Sequence, residues 1–177
     1  MPATLDLLNR QIRYSSAVEH ESNLLKKLTY VSETRKVYAY LSERIDDIEE
    51  LTAHHLGVGR EQCVVAHWSE WIRGSFNVCI PLSVNGQDGR PNRTVLMRCP
   101  MTYRVGKDAG SVDEKIGCEV AAYAWMQDNC PEIKIPDLLG FGFCDGRLVS
   151  ATEISRNFQR LTLDGFSLLI PRIVRFT

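Results

Sequence analysis

Phe76-Asn77-Val78-Cys79-Ile80-Pro81-Leu82-Ser83-Val84 and Thr94-Val95-Leu96-Met97-Arg98-Cys99 decide the fold, with Asn85-Gly86, Asp88-Gly89 and Pro91 between them. Both runs are rich in β-formers, and Asn-Gly and Asp-Gly favour the left-handed backbone of hairpin turns. They predict two adjacent antiparallel strands, the second ended by Pro100. Alternation along that strand puts Leu96 and Arg98 on one face, Val95 and Met97 on the other. Upstream, the short apolar run Cys63 to His67 adds a third strand, with Trp71-Ile72-Arg73-Gly74-Ser75 as the turn. The expectation is a three-stranded antiparallel meander.

Helical periodicity flanks this region. After Gly106 and Gly110, Ser111 and Glu114 fit a capping box. Ile116, Val120, Tyr123 and Met126 or Gln127 then define one face of a helix near 113–129, which Ala121, Ala122 and Ala124 favour. Pro131 and Pro136 bracket an extended connector, Leu138 to Phe143 reads as a strand, and Asp145-Gly146 as a turn. In the first third, Leu24, Leu25, Leu28 and Val31 suggest a short helix. Tyr38, Leu41, Ile45, Ile48, Thr52 and His55 predict a stronger one near 33–56, ended by Gly57 and Gly59. Asp46, Asp47, Glu49 and Glu50 read as its solvated face. His54 and His55 point about 100° apart on a helix and cannot easily share an ion, so packing or capping is their expected role. The fold class is α+β: a helical N-terminal extension over 1–62, a lobe over 63–150 and a tail over 151–177 to which no structure is assigned.

Composition narrows the function. Apolar residues make up 44% and charged residues 24%, as in a foldable globular protein. The 21 basic and 22 acidic residues are spread evenly, and without a concentrated basic face nucleic acid is not an expected partner. No run reaches the roughly 18–20 apolar residues of a membrane span, and no apolar signal core opens the chain, so the expected location is cytoplasmic. Cys63, Cys79, Cys99, Cys118, Cys130 and Cys144 form no Cys-x-x-Cys pair and have no His at zinc spacing. They read as reduced, mostly buried apolar residues rather than nucleophiles or metal ligands. Asn92-Arg93-Thr94 is then a chance sequon, and Trp68, Trp71 and Trp125 read as packing residues.

A strand, a glycine turn, a strand, a cation on a third strand and a carboxylate on a helix follow one another here. In protein-kinase-like folds the turn covers nucleotide phosphates, and the carboxylate aims the strand cation at them. Gly74 precedes Arg98, and Arg98 precedes Glu119, at intervals that suit that layout.

The residues themselves resemble the fungal aminoglycoside-phosphotransferase-like family of the kinase-like superfamily. The likeness rests on Gly74-Ser75-Phe76-Asn77-Val78-Cys79-Ile80-Pro81, Val95-Leu96-Met97-Arg98-Cys99-Pro100 and Tyr103-Arg104-Val105-Gly106. Asp113-Glu114-Lys115, Cys118-Glu119, Tyr123-Ala124-Trp125 and the segment from Ile135-Pro136 to Gly140-Phe141-Gly142 continue it, over roughly residues 33 to 146. In this family the strand cation is often arginine. The resemblance implies a kinase-like N-terminal lobe with an antiparallel sheet and one long helix. It further implies ATP and magnesium as cofactors, and phosphoryl transfer to a small-molecule hydroxyl. It assigns nucleotide contacts to Gly74, Ser75, Phe76, Asn77, Arg98 and Glu119.

Residues 1–177 depart from that pattern in one respect. They contain no His-x-Asp motif, and Asp164-Gly165-Phe166 has no catalytic loop ahead of it. No catalytic or metal-binding residue is assigned, and the family's apolar hinge strand is not recognised within 147–177. The expectation is an N-terminal lobe without its C-terminal lobe, inactive by itself, with at most residual nucleotide binding. A lobe face left uncovered would favour self-association. The alternative is a non-catalytic protein-interaction module.

Overall fold

A computed structural model of the chain describes residues 4–7, 9–19, 24–86, 91–106, 109–150 and 170–175. The expected Asp88-Gly89 turn and Asp164-Gly165-Phe166 lie outside the described residues. Two compact units follow one another, Met1–Glu43 and Arg44–Thr177.

The first unit opens on a hairpin where only helix was expected. Strand β1 (Thr4–Asp6) pairs antiparallel with β2 (Gln11–Arg13), Leu5 opposite Ile12. The Leu7 N–H donates to the Arg10 carbonyl at 2.8 Å, and Gln11 Nε2 donates to Asp6 Oδ1 at 2.9 Å. Three-residue strands are too short for alternation to register as a pattern. Helix α1 (Tyr14–Val18) follows, then α2 (Leu24–Ser42), which joins the two expected helical patterns into one.

The expected helix over 33–56 does not run through. It breaks at Glu43-Arg44, where Arg44 leaves helical geometry (φ −123°, ψ 32°), and α3 (Ile45–Leu56) starts afresh. Asp46 and Asp47 fall in the first turn of α3 and His54 and His55 in its last, the charge order a helix dipole favours. Tyr38 and Leu41 therefore belong to α2, Ile45 and Ile48 to α3. At the far end Gly57 adopts φ 61°, its N–H donates to the His54 carbonyl, and the Val58 N–H reaches the Ala53 carbonyl at 3.1 Å. That pair of bonds is a Schellman cap, and only a residue tolerant of left-handed backbone suits its turning point.

The second unit is built on one antiparallel sheet. Its strands are β3 (Cys63–Val65), β4 (Ile72–Arg73), β5 (Asn77–Val84), β6 (Arg93–Pro100), β7 (Asp137–Gly142), β8 (Leu148–Ser150) and β9 (Ile170–Arg175). The spatial order is β3-β5-β6-β9-β7-β8, with β4 also on β5. The β5–β6 register, Val84 opposite Arg93 to Asn77 opposite Pro100, is the hairpin read from the sequence. The meander is wider than expected, because Ile72-Arg73 is a strand and the turn contracts to 74–76.

Two prolines are accommodated by breaks beside them. The Pro81 carbonyl accepts from the Ala66 N–H at 2.9 Å, so its missing N–H faces the outer edge of β5. There β3 has ended opposite Leu82 and β4 begins opposite Cys79, so no ladder bond is forfeited. Trp71 Nε1 donates to the Ala66 carbonyl at 2.9 Å and closes this gap. Pro171 lies in β9, a strand from the tail to which the sequence assigned no structure. It hid because the apolar run before it stops at Pro171-Arg172. Register shifts in the β7–β9 pairing between Gly140 and Gly142 make room there.

Helices cover the two faces. Val78, Ile80, Leu82, Val95 and Met97 are fully buried on one. Helix α3 lies on that side: the Cys63 thiol, beside Val84, feels Glu49, and His55 packs on Gly140 of β7. On the other face Leu96 packs with Leu138 and Phe141 against Val112, Ile116, Val120 and Ala124 of α5 (Ala109–Asn129), which follows the short α4 (Thr102–Val105). Because α5 begins at Ala109, Ser111 is inside the helix and the expected capping box does not mark its start.

Three further expectations change. Glu49 is not solvated: it accepts from the Val65 N–H at 3.2 Å and lies 3.5 Å from Arg60, which also bonds Asp46. Trp71 is buried, but Trp68 and Trp125 are exposed rather than packed. All six cysteines are free, yet only Cys63 and Cys99 are buried, and Cys118 is exposed.

Candidate functional site

The β4–β5 connection turns at Gly74-Ser75-Phe76. The Gly74 N–H donates to the Asn77 carbonyl at 2.8 Å, so both residues close the hairpin. A Cβ at Gly74 would meet the Asn77 carbonyl oxygen at 3.4 Å, an ordinary contact. The Ser75 carbonyl accepts from Arg104 Nε at 2.7 Å, and the Phe76 carbonyl from the Met101 N–H at 2.8 Å. The turn is thus tied to α4 and the end of β6.

Arg98 stands on β6 opposite Cys79 of β5 and Arg172 of β9. Its Nη2 lies 3.7 Å from Glu119 Oε2 on α5, both side chains about two-thirds to three-quarters covered (26% and 31% exposed). That distance is an ion pair rather than a tight hydrogen bond. The shorter contact of Glu119 is with Lys115, one helical turn earlier, whose Nζ donates to Oε1 at 2.6 Å. Burial pushes the Cys79 thiol up, while the neighbouring Arg98 pulls it back. Burial pushes the Cys99 thiol, on the opposite face of β6, up to about 12.

Lys115 and Arg104 also meet at Phe76. The Lys115 ammonium is 4.9 Å from the centre of the Phe76 ring, and the Arg104 guanidinium 5.7 Å, within cation–π range. Lys115 therefore links the Phe76 ring at the turn, through Glu119, to Arg98. Cationic side chains so placed suit an anion with several oxygens.

The six residues singled out from the sequence fall into two groups. Arg98 and Glu119 pair as expected. Gly74, Ser75, Phe76 and Asn77 form the turn beside them, although Gly74 and Asn77 spend a backbone bond on each other. Lys115 and Arg104 were assigned no role. An i,i+4 Lys–Glu spacing signals Lys115, whereas nothing local signals Arg104, which reaches Ser75 only across the fold. Among the described residues no group of three or more His, Cys, Asp or Glu side chains is placed to hold a metal ion.

At the start of α5, Asp113 is buried beneath the β7–β8 turn. Burial and the nearby Asp145 carboxylate raise its pKa to about 6, against the Cys144 backbone N–H and Arg147. Asp145 itself is bonded to Arg147. Comparison with protein-family models, with curated proteins and with solved structures returns no match to this chain.

Proposed function

We propose that residues 44–177 are the nucleotide-positioning lobe of a phosphotransferase of the aminoglycoside-phosphotransferase-like kind, using ATP and magnesium to phosphorylate a small-molecule hydroxyl. One observation carries this reading: a strand cation, Arg98, stands 3.7 Å from a helix carboxylate, Glu119, beside a glycine-containing turn. Strand β9, between β6 and β7, supplies a candidate for the hinge strand that the resemblance implies.

ATP bound here would supply the phosphoryl group, its charge neutralised by magnesium. Arg98 would hold phosphate oxygens, and Glu119 would keep the guanidinium from wandering. The Gly74–Asn77 turn would cover the phosphates. Residues 1–177 contain no His-x-Asp motif, and the described residues include no metal cluster, so no base and no magnesium ligand is assigned among them. Their role is to bind and orient, which alone does not produce turnover.

Equilibrium binding of labelled ATP with magnesium tests the reading. Residues 1–177 should bind it weakly, Arg98→Ala should abolish binding, and Glu119→Ala should weaken it. Transfer to an aminoglycoside, a choline-like alcohol or a sugar should not rise above a buffer control. Equal ATP binding by the wild type and Arg98→Ala would sink the assignment.

A second reading, a non-catalytic interaction module, has its own observation. Val64, Trp68 and Ile72, along the outer β3–β4 edge of the sheet, are 49%, 58% and 58% exposed. Apolar side chains along an exposed edge favour association with another chain, a second copy included. This reading predicts concentration-dependent sedimentation and no response to ATP.

A further inference from the structure

Lys115 makes contacts that an ordinary intrahelical pair does not. Its ammonium donates to Glu119 Oε1 at 2.6 Å, and the other oxygen of that carboxylate faces Arg98 at 3.7 Å. The same ammonium lies 4.9 Å from the centre of the Phe76 ring, at the turn. Turn, lysine, carboxylate and arginine therefore form one continuous chain of contacts from the β4–β5 connection to β6. A single carboxylate bridges the two cations, so they sit one carboxylate apart with a net positive charge between them.

We propose that Lys115 is a second phosphate-contacting cation of this site and sets its preference for polyphosphate over monophosphate. The proposal rests on the nucleotide reading above and extends it to the number of phosphates recognised. The physical reason is charge matching. Arg98 and Glu119 alone are a neutral pair, which has little electrostatic basis for preferring one anion over a more highly charged one. Lys115 adds a positive charge within reach of the same pair, and a longer phosphate chain engages both cations where a single phosphate engages one. A lysine head is a mobile point charge on a four-carbon stem, so it moves from the Phe76 ring to a phosphate oxygen without moving the helix. Phe76 gives the ammonium an aromatic resting place at the turn and so keeps it near the phosphates.

The experiment is titration of residues 1–177 with ATP, ADP and AMP, each with magnesium, at two salt concentrations. Wild type, Lys115→Met, Lys115→Arg and Arg98→Ala are compared, with thermal melting to confirm folding. The expected result is a wild-type preference for ATP over AMP that Lys115→Met lowers about tenfold, roughly one lost charge-assisted contact. Lys115→Arg should retain most of that preference, and salt should weaken ATP binding more in the wild type than in Lys115→Met. A Lys115→Met variant that matches the wild type, or that loses ATP and AMP equally, overturns the proposal. If Arg98→Ala still abolishes binding in that case, the nucleotide reading stands. Absence of ATP binding by the wild type overturns both. If Lys115→Met fails to fold, the charge-retaining Lys115→Arg decides: a folded variant without the ATP preference refutes a role for positive charge at this position.

Discussion

The two faces of the β5–β6 hairpin differ sharply. Toward α3 lie Val78, Ile80, Leu82, Val95 and Met97, all fully buried and all apolar. Toward α5 lie Cys79, Leu96 and Arg98, and α5 brings Glu119, Lys115 and the buried Asp113 to the same side. One pleated hairpin thus gives an all-apolar row to the first face and sets the charged Arg98 beside the core residue Leu96 on the second. Changes on the first face should act through folding, and changes at the charged residues of the second through pH and anion binding.

The largest effect belongs to the sealed face. Ile80→Ala removes a fully buried side chain and leaves a cavity, and should lower stability by about 2–5 kcal/mol. Urea unfolding measures it, and a loss below about 1 kcal/mol would mean this face is less tightly packed than its burial indicates.

Gly140 sharpens the contrast from the same side. A Cβ there would meet His55 Nδ1 at 2.3 Å, and the ring it strikes is buried. Gly140→Ala should therefore cost about 1–3 kcal/mol as overpacking. Much of that cost should vanish against a His55→Ala background, where the obstructing ring is gone. Additive losses in this double-mutant cycle would break the proposed contact. Gly74 gives the reference: its Cβ would make only an ordinary contact, so Gly74→Ala should leave thermal stability within about 0.5 kcal/mol.

The charged face predicts a pH dependence. The Asp113 carboxyl has its pKa raised from 3.8 to about 6 by burial and by Asp145. The folded chain then holds this proton more tightly than the unfolded chain, so the protonated form favours folding. That contribution is complete below the unfolded value of 3.8 and is lost as pH rises through about 6. Stability should fall across that window by on the order of 1–3 kcal/mol. Asp113→Asn, which cannot ionise, should remove this slope and be the more stable chain at pH 7. An unchanged slope in the variant would transfer the effect to another group.

A small stability effect should also come from the ion pair itself. Glu119→Ala breaks two partly exposed contacts, and pairs of this exposure contribute about 0–1 kcal/mol. A near-normal melting temperature with weakened ATP binding would place the role of Glu119 in positioning rather than folding.

Local chemistry is enough to read the β5–β6 hairpin, the Gly57 helix end, the Asp145-Gly146 turn and the facing of Arg98 away from Val95 and Met97. Turn residues with special backbone freedom and a period of two act over a few neighbours, and the sequence displays both directly. The Arg98–Glu119 pairing was legible at one remove, as an order of elements and a resemblance. What lay beyond reach depends on partners distant in sequence. Strand β9 exists because β6 and β7 supply ladder bonds on both sides and a register shift accommodates Pro171. Helix α5 starts ahead of its apparent cap, and Glu49 leaves solvent because β3 offers it an N–H. By itself the sequence determined which residues could turn, alternate or carry charge. The tertiary structure alone decided that Lys115, Arg104 and Phe76 meet, since that contact joins two helices, α5 and α4, and a turn that only folding brings together.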